Sequence, residues 1–136
     1  MTETSAPTMV DLDIRASWAL LSGHGFGRVA VTRRGQPEIY PVNYVVLQGR
    51  IRLRTAPGAK LLGMLLDDRV AFEVDGIEGD TAWSVLVKGT AEEVRLSPDR
   101  TTPPLLPDTP WVPSPRDAIV EITPIEVTGR RFRRAD

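Results

Sequence analysis

Hydrophobic and polar positions alternate in short runs along most of this chain. RVAVT (28–32), EIYPVNYVVL (38–47) and RIRLR (50–54) change character at nearly every second residue. That period sends successive side chains to opposite faces and predicts β-strands. In the third run Ile51 and Leu53 face one way, and Arg50, Arg52 and Arg54 the other. RRGQPE and QGR between the runs are hairpin signals. RVAFEV (69–74), WSVLVKG (83–89) and TAEEVRL (90–96) read as three more strands, the first two joined by a bulge-like DGIEGDTA. AIVEITPIEVTGRRF (118–132) reads as the last.

The helical period is rarer. Ile14, Trp18 and Leu21 fall on one helical face after Asp11 or Asp13, acidic residues suited to a helix N-terminus. SGHGFG stops that helix. GAKLLGMLLDD (58–68) predicts a short helix burying Leu61, Leu62 and Leu65, and SPDR a brief one capped by Ser97 with Pro98 in its first turn. TPPLLPDTPWVPSP carries six prolines and is not regular structure, although Trp111 hints at an anchor. Residues 1–10 read as a flexible arm and 11–136 as one domain. Six or seven hairpin-linked strands, with a helix between the third and fourth, predict a mainly β protein with short helices: a small antiparallel barrel.

Composition narrows the classes. A chain of 136 residues is long enough for a real core. Its formal charge of −1, from 17 basic and 18 acidic residues, argues against a nucleic-acid binder. With no cysteine there is no disulfide, thiol catalysis or thiolate metal site. No apolar run approaches the ~18 residues of a membrane span. The opening MTETSAPTMVDLD lacks the basic flank and apolar stretch of a secretory signal, so the expected location is cytoplasmic. Asp67, Asp68, Asp75, Glu78 and Asp80 have no metal-ligand spacing with a histidine, so no metal is assigned. His24, the only histidine, stands in a glycine-flanked turn and reads as a solvated loop residue.

Three stretches carry candidate chemistry. RTAPGAK (54–60) joins a strand to a helix start, where free N–H groups attract anions. Arg54 presents a planar fork, Thr55 a hydroxyl and Lys60 a point charge, while Pro57 and Gly58 turn the backbone. Spacing alone still favours a plain corner with Thr55 as a cap and both charges solvated. PVNY (41–44) puts a proline inside a strand, which implies an edge or a bulge. Asn43 there offers an amide to a heteroaromatic ring, but these residues alone favour a proline-protected edge. In WSVLVKG, Trp83 and Ser84 face opposite ways, and although Trp83 suits a ligand stack or a subunit contact, these residues alone favour a plain core strand. The basic ending RRFRR reads as a solvated terminus.

These pieces follow one order: GRVAV, a turn, YPVNYVV, GRIRLRTAPGAK, a helix ending DDRVAFEV, WSVLVKGTAEEV, a proline-rich loop with a tryptophan, and ITPIEVTGRRF. That order, over roughly residues 14–133, resembles the pyridoxamine 5′-phosphate oxidase-like flavoproteins, especially the branch with nitroimidazole-resistance reductases. The resemblance implies an FMN-binding split β-barrel and a homodimer with flavin at the subunit interface. It implies that Arg54, Thr55 and Lys60 hold the FMN phosphate and that Pro41, Val42 and Asn43 run beside the ring. Trp83, Ser84 and Trp111 would complete the pocket. Arg54 stands where that branch often has histidine, and the C-terminal arginine and histidine pattern of true pyridoxamine phosphate oxidases is missing. The implied function is therefore a flavin-dependent oxidoreductase of unassigned small-molecule substrate, with no titrating side chain required. The alternatives are a deazaflavin cofactor or a non-catalytic flavin carrier.

Overall fold

The alternating runs form strands, and two tight turns set their register. The structure, a computed structural model, describes residues 9–56, 58, 63–64, 67–94 and 118–133. They carry β1 (Met9–Leu12), α1 (Ile14–Ser22), β2 (Phe26–Arg33), β3 (Gln36–Leu47), β4 (Arg50–Thr55), β5 (Arg69–Glu78), β6 (Thr81–Val94) and β7 (Ala118–Arg133). Arg34 and Gly35 join β2 to β3 with φ of 55° and 77°, and Gln48 and Gly49 join β3 to β4 with φ of 50° and 74°. Two successive positive φ values mark the turn whose twist matches that of paired strands.

The strands pair in the order β1-β7-β4-β3-β2-β5-β6, and β6 pairs back onto β7. Six strands therefore close a barrel, all neighbours antiparallel, with β1 added to the far end of β7. The sequence expectation of a mainly β, six- to seven-stranded antiparallel barrel holds. Val29, Val31, Ile51, Leu53, Phe72, Val74, Val85, Val87, Val120 and Ile122 fill the interior. Tyr44 sits among them edge-on to Phe72, ring centres 4.8 Å apart. Asp13 caps α1 by accepting from the Ala16 N–H at 2.8 Å, and the helix buries Leu21 completely.

Several elements differ from the sequence expectation. WSVLVKG and TAEEVRL do not form two strands: residues 83–94 belong to the single strand β6, bent by a register shift at Lys88/Gly89. Gly89 lies so close to β7 that a Cβ there would come 2.3 Å from the Thr123 carbonyl oxygen, which allows the bend without a gap. DGIEGDTA is not a bulge, because the β5–β6 ladder runs unbroken to Glu78 and Thr81 around Gly79 and Asp80. Met9 and Val10 are not loose arm but pair with Phe132 and Arg131. A partner so distant in sequence leaves no local pattern. Gly63 and Met64 have helical backbone and Met64 is fully buried; Leu61, Leu62 and Leu65 lie outside the described residues. So do SPDR and the proline-rich segment.

The Tyr44 hydroxyl donates to the Leu21 carbonyl at 2.6 Å, tying the barrel to α1. Burial pushes its pKa up from 10 to about 12. Between these values the unfolded chain loses a proton that the folded chain keeps, so stability falls as pH rises. The expected slope is about 1.4 kcal/mol per pH unit over pH 10–12, absent in Tyr44→Phe. Urea titrations at stepped alkaline pH measure it; identical slopes in both proteins would refute the assignment.

Candidate functional site

At one point β3 exchanges one neighbour for another. Its residues 44–47 pair with β4, whereas residues 36–43 pair with β2 and have no strand on the β4 side among the described residues. The sheet splits just past the pair Tyr44–Leu53. The Tyr44 N–H bonds to Gly25 on the β2 side, at 2.9 Å. Alternation then turns the main-chain groups of Asn43, Pro41, Ile39 and Pro37 toward the split. Both prolines sit where the missing N–H removes no ladder bond. Their positions also blunt a free strand edge.

Asn43 and Arg54 follow the last registered β3–β4 pair on the outer face of the barrel. Phe26 is directly opposite Asn43 on the next strand. The split is thus flanked by a cation and an amide, and an exposed aromatic continues the same row across β3. Arg50, Arg52 and Arg54 alternate along that face of β4. Glu121 on β7 accepts from Arg52 Nε at 2.9 Å and Arg50 Nη1 at 3.2 Å. Arg54 has no such partner: its Nε is buried without a hydrogen bond. A buried guanidinium N–H left unpaired is costly and calls for an acceptor. Three arginines against one carboxylate also leave a surplus of positive charge beside the split.

The expected site residues divide by face. Pro41 is exposed, Asn43 is part-buried, and both lie on the outer face with Arg54. Val42 is buried and points into the core, and its main chain, in phase with Tyr44, faces β2, so it presents nothing to the free edge. Thr55 turns inward with Ile51 and Leu53, is 2% exposed, and donates to the Ala56 carbonyl at 3.3 Å. Its hydroxyl is therefore on the opposite face from Arg54. Ser84 is on the outer face but three strands from β3, in a shallow groove with Glu73, Leu86, Thr128 and Arg130. Trp83 is 1% exposed and belongs to the core. A Cβ on Gly76 would meet its ring at 2.7 Å, so one ring face is covered by bare backbone. Trp83 also packs at a tilt on His24, ring centres 4.7 Å apart. Its ring has no free face for a ligand in this chain. Lys60 and Trp111 lie outside the described residues.

His24 is exposed as the sequence implies, yet it is more than a solvated turn residue. Its Nδ1 is 2.8 Å from the Leu20 carbonyl and so carries the proton. Beyond Phe26 the outer face continues into an ion cluster. Arg28 donates through Nε to Glu73 at 3.0 Å and contacts Asp75 at 2.9 Å. Burial and the adjacent Asp75 push the Glu73 carboxyl up, although Arg28 bonds to it. Glu73 in turn raises the Arg28 guanidinium. Sequence reading passed over Phe26; the usable signal was an aromatic in the polar phase of β2, in step with Arg28 and Thr32.

The orphaned Arg54 Nε, the free strand edge and the neighbouring amide suit a flat heteroaromatic ligand with an anionic tail. Among the described residues no group of three or more His, Cys, Asp or Glu side chains is placed to hold a metal. Comparison with known proteins agrees on the family. The pyridoxamine 5′-phosphate oxidase family profile matches residues 13–131, and the chain belongs to that family. An uncharacterised protein of Mycobacterium tuberculosis is 37% identical over 94% of this chain and 88% of its own length. A solved structure from Corynebacterium glutamicum, named for pyridoxamine 5′-phosphate oxidase, is 33% identical, with TM-score 0.80 over 98% of this chain and 100% of that one. An FAD binding protein from Mycobacterium smegmatis is 30% identical, with TM-score 0.70 over 92% of this chain and 99% of that one.

If Arg54 is kept for a ligand, the free protein should not need it. Arg54→Met is expected to leave the urea midpoint unchanged or raised, because it removes an unsatisfied donor. Arg52→Met leaves the buried Oε2 of Glu121 without its partner and should cost about 2 kcal/mol. Equal losses in the two variants would make Arg54 a structural arginine.

Proposed function

We propose that this chain is a flavin-dependent oxidoreductase that binds FMN at the split between β3 and β4. The buried, partnerless Nε of Arg54 carries the reading. Arg54 holds the phosphate through charge-assisted bonds, and Lys60 adds a second charge from the corner that follows β4. Thr55 contributes through the main chain of that corner, since its hydroxyl faces inward. The main-chain groups of Pro41 and Asn43 that face the split and the Asn43 amide orient the ring edge, with Val42 holding the strand between them to β2. Ser84, Trp111 and the strand of Trp83 would close the pocket from further off, Trp83 by packing and not by stacking. When bound, the flavin supplies the hydride chemistry; the protein supplies position, charge and exclusion of water. Among the described residues no acid–base pair stands at the split. The FAD binding protein from Mycobacterium smegmatis supports a second reading, in which the larger flavin dinucleotide occupies the same split. A deazaflavin with an anionic tail would meet the same grip.

We also propose a cytoplasmic homodimer. Ile39 is 68% and Ile125 73% exposed, beside grooves floored by Ala30, Ala71 and Leu86. Such outward apolar surface on a barrel suits a partner, and one chain supplies only one wall of a ring site. Sedimentation at low micromolar concentration should give twice the chain mass; a lone monomer would refute it.

The phosphate grip has a direct test. FMN and riboflavin share a ring and differ by the phosphate. Two charge-assisted contacts should separate their affinities by about 10²- to 10⁴-fold. Arg54→Ala should weaken FMN and leave riboflavin nearly untouched. Fluorescence titration of both ligands reads this, and equal wild-type affinities would reduce RTAPGAK to a corner. An absorbance scan of the purified protein and turnover with a nicotinamide donor separate an enzyme from an empty barrel or a carrier.

A further inference from the structure

We infer that Phe26 is the ring-stacking platform of the site: its phenyl face takes one side of the isoalloxazine while Arg54 holds the phosphate. The inference rests on the proposed flavin site and adds a residue to it. A single exposed aromatic is ordinary on a protein surface. Phe26 is distinguished by where it stands. It is 56% exposed and, among the described residues, has no aromatic partner. It lies directly opposite Asn43, which lines the split. It shares the outer face with Pro41 and Arg54, whereas the tryptophan of the nearby strand, Trp83, is buried.

The span is also right. Phe26 and Arg54 are on strands separated only by β3, and two strand spacings are about 10 Å. The ribityl chain between a flavin ring and its phosphate reaches a distance of that order. The row therefore places a cation at one end, an amide in the middle and an aromatic face at the other, matching the phosphate, the polar ring edge and the ring in turn. Gly27 keeps this platform in place. A Cβ there would lie 2.7 Å from the Glu73 carbonyl oxygen, so the strand behind Phe26 is drawn tight against β5.

The test uses the whole chain, with FMN and riboflavin as probes, in wild type, Phe26→Ala, Phe26→Leu and Phe26→Trp. Phe26 is exposed, so all three variants should keep the wild-type thermal midpoint, checked by circular dichroism. Stacking acts on the ring and not the phosphate. Phe26→Ala and Phe26→Leu should therefore weaken both ligands alike, by about 10-fold or more. Arg54→Ala differs by weakening FMN alone. Phe26→Trp should retain affinity and quench the bound flavin's emission well below the wild-type complex, because indole in van der Waals contact donates an electron to the excited ring. Unchanged affinity in Phe26→Leu, or emission in Phe26→Trp no lower than wild type, overturns the inference. A wild-type chain that binds neither flavin overturns the flavin reading and this inference with it. Equal wild-type affinity for FMN and riboflavin removes the phosphate grip alone, and the stacking result still decides Phe26.

Discussion

Main-chain pairing along β3 is the constraint on which the rest of this structure depends. One strand of twelve residues serves two neighbours, β4 through its last four residues and β2 through the first eight. Because hydrogen-bonding groups alternate from side to side, a strand that gives up a neighbour leaves every second residue with free polar groups. Pro37 and Pro41 remove two of those donors in advance. What remains at the mouth of the split is Asn43, with Arg54 beside it and Phe26 across from it. Barrel closure and candidate site therefore have one origin: the sheet opens where a ligand can finish the pairing that a strand would have supplied.

Electrostatics on the same face sort the arginines of β4 into two roles. Arg50 and Arg52 share Glu121, a carboxylate only 8% exposed at its side chain, and such a buried charge needs its partners. That pairing belongs to the fold. Arg54 continues the same alternation but has no carboxylate partner among the described residues, and its Nε is left without a hydrogen bond beside the split. Three residues with identical chemistry and identical spacing thus differ only in what the neighbouring strand presents. Two strands away on β2, Arg28 is likewise consumed by Glu73 and Asp75, which leaves Arg54 as the arginine of the split with a donor to spare among the described residues.

Membership of the pyridoxamine 5′-phosphate oxidase family accords with this arrangement, because the fold of that family is the fold seen here. The site reading does not depend on the family alone. It stands on an orphaned donor, a strand edge with no neighbour among the described residues and a row of three side chains of complementary chemistry. These are properties of this chain's own residues.

Much of the architecture was legible in the sequence for a local reason. A period of two, positive-φ turn residues at Gly35 and Gly49, and Asp13 before an amphipathic run are all decided by near neighbours. The inward set Ile51 and Leu53 and the outward set Arg50, Arg52 and Arg54 follow from alternation alone. Pro41 likewise announced an edge. Tertiary structure decided what depends on distant partners. β1 exists because β7 receives it, and β6 is one strand because Gly89 lets it bend against Thr123. Alternation placed Trp83 and Ser84 on opposite faces, but only barrel closure determined which face was inside and so removed Trp83 from the surface. The same closure turned Thr55 inward. Phe26 looked like turn residue beside His24 until pairing set it opposite Asn43. Whether Arg54 was spare could not be read from its own strand, since the answer lay in where Glu121 sits on β7.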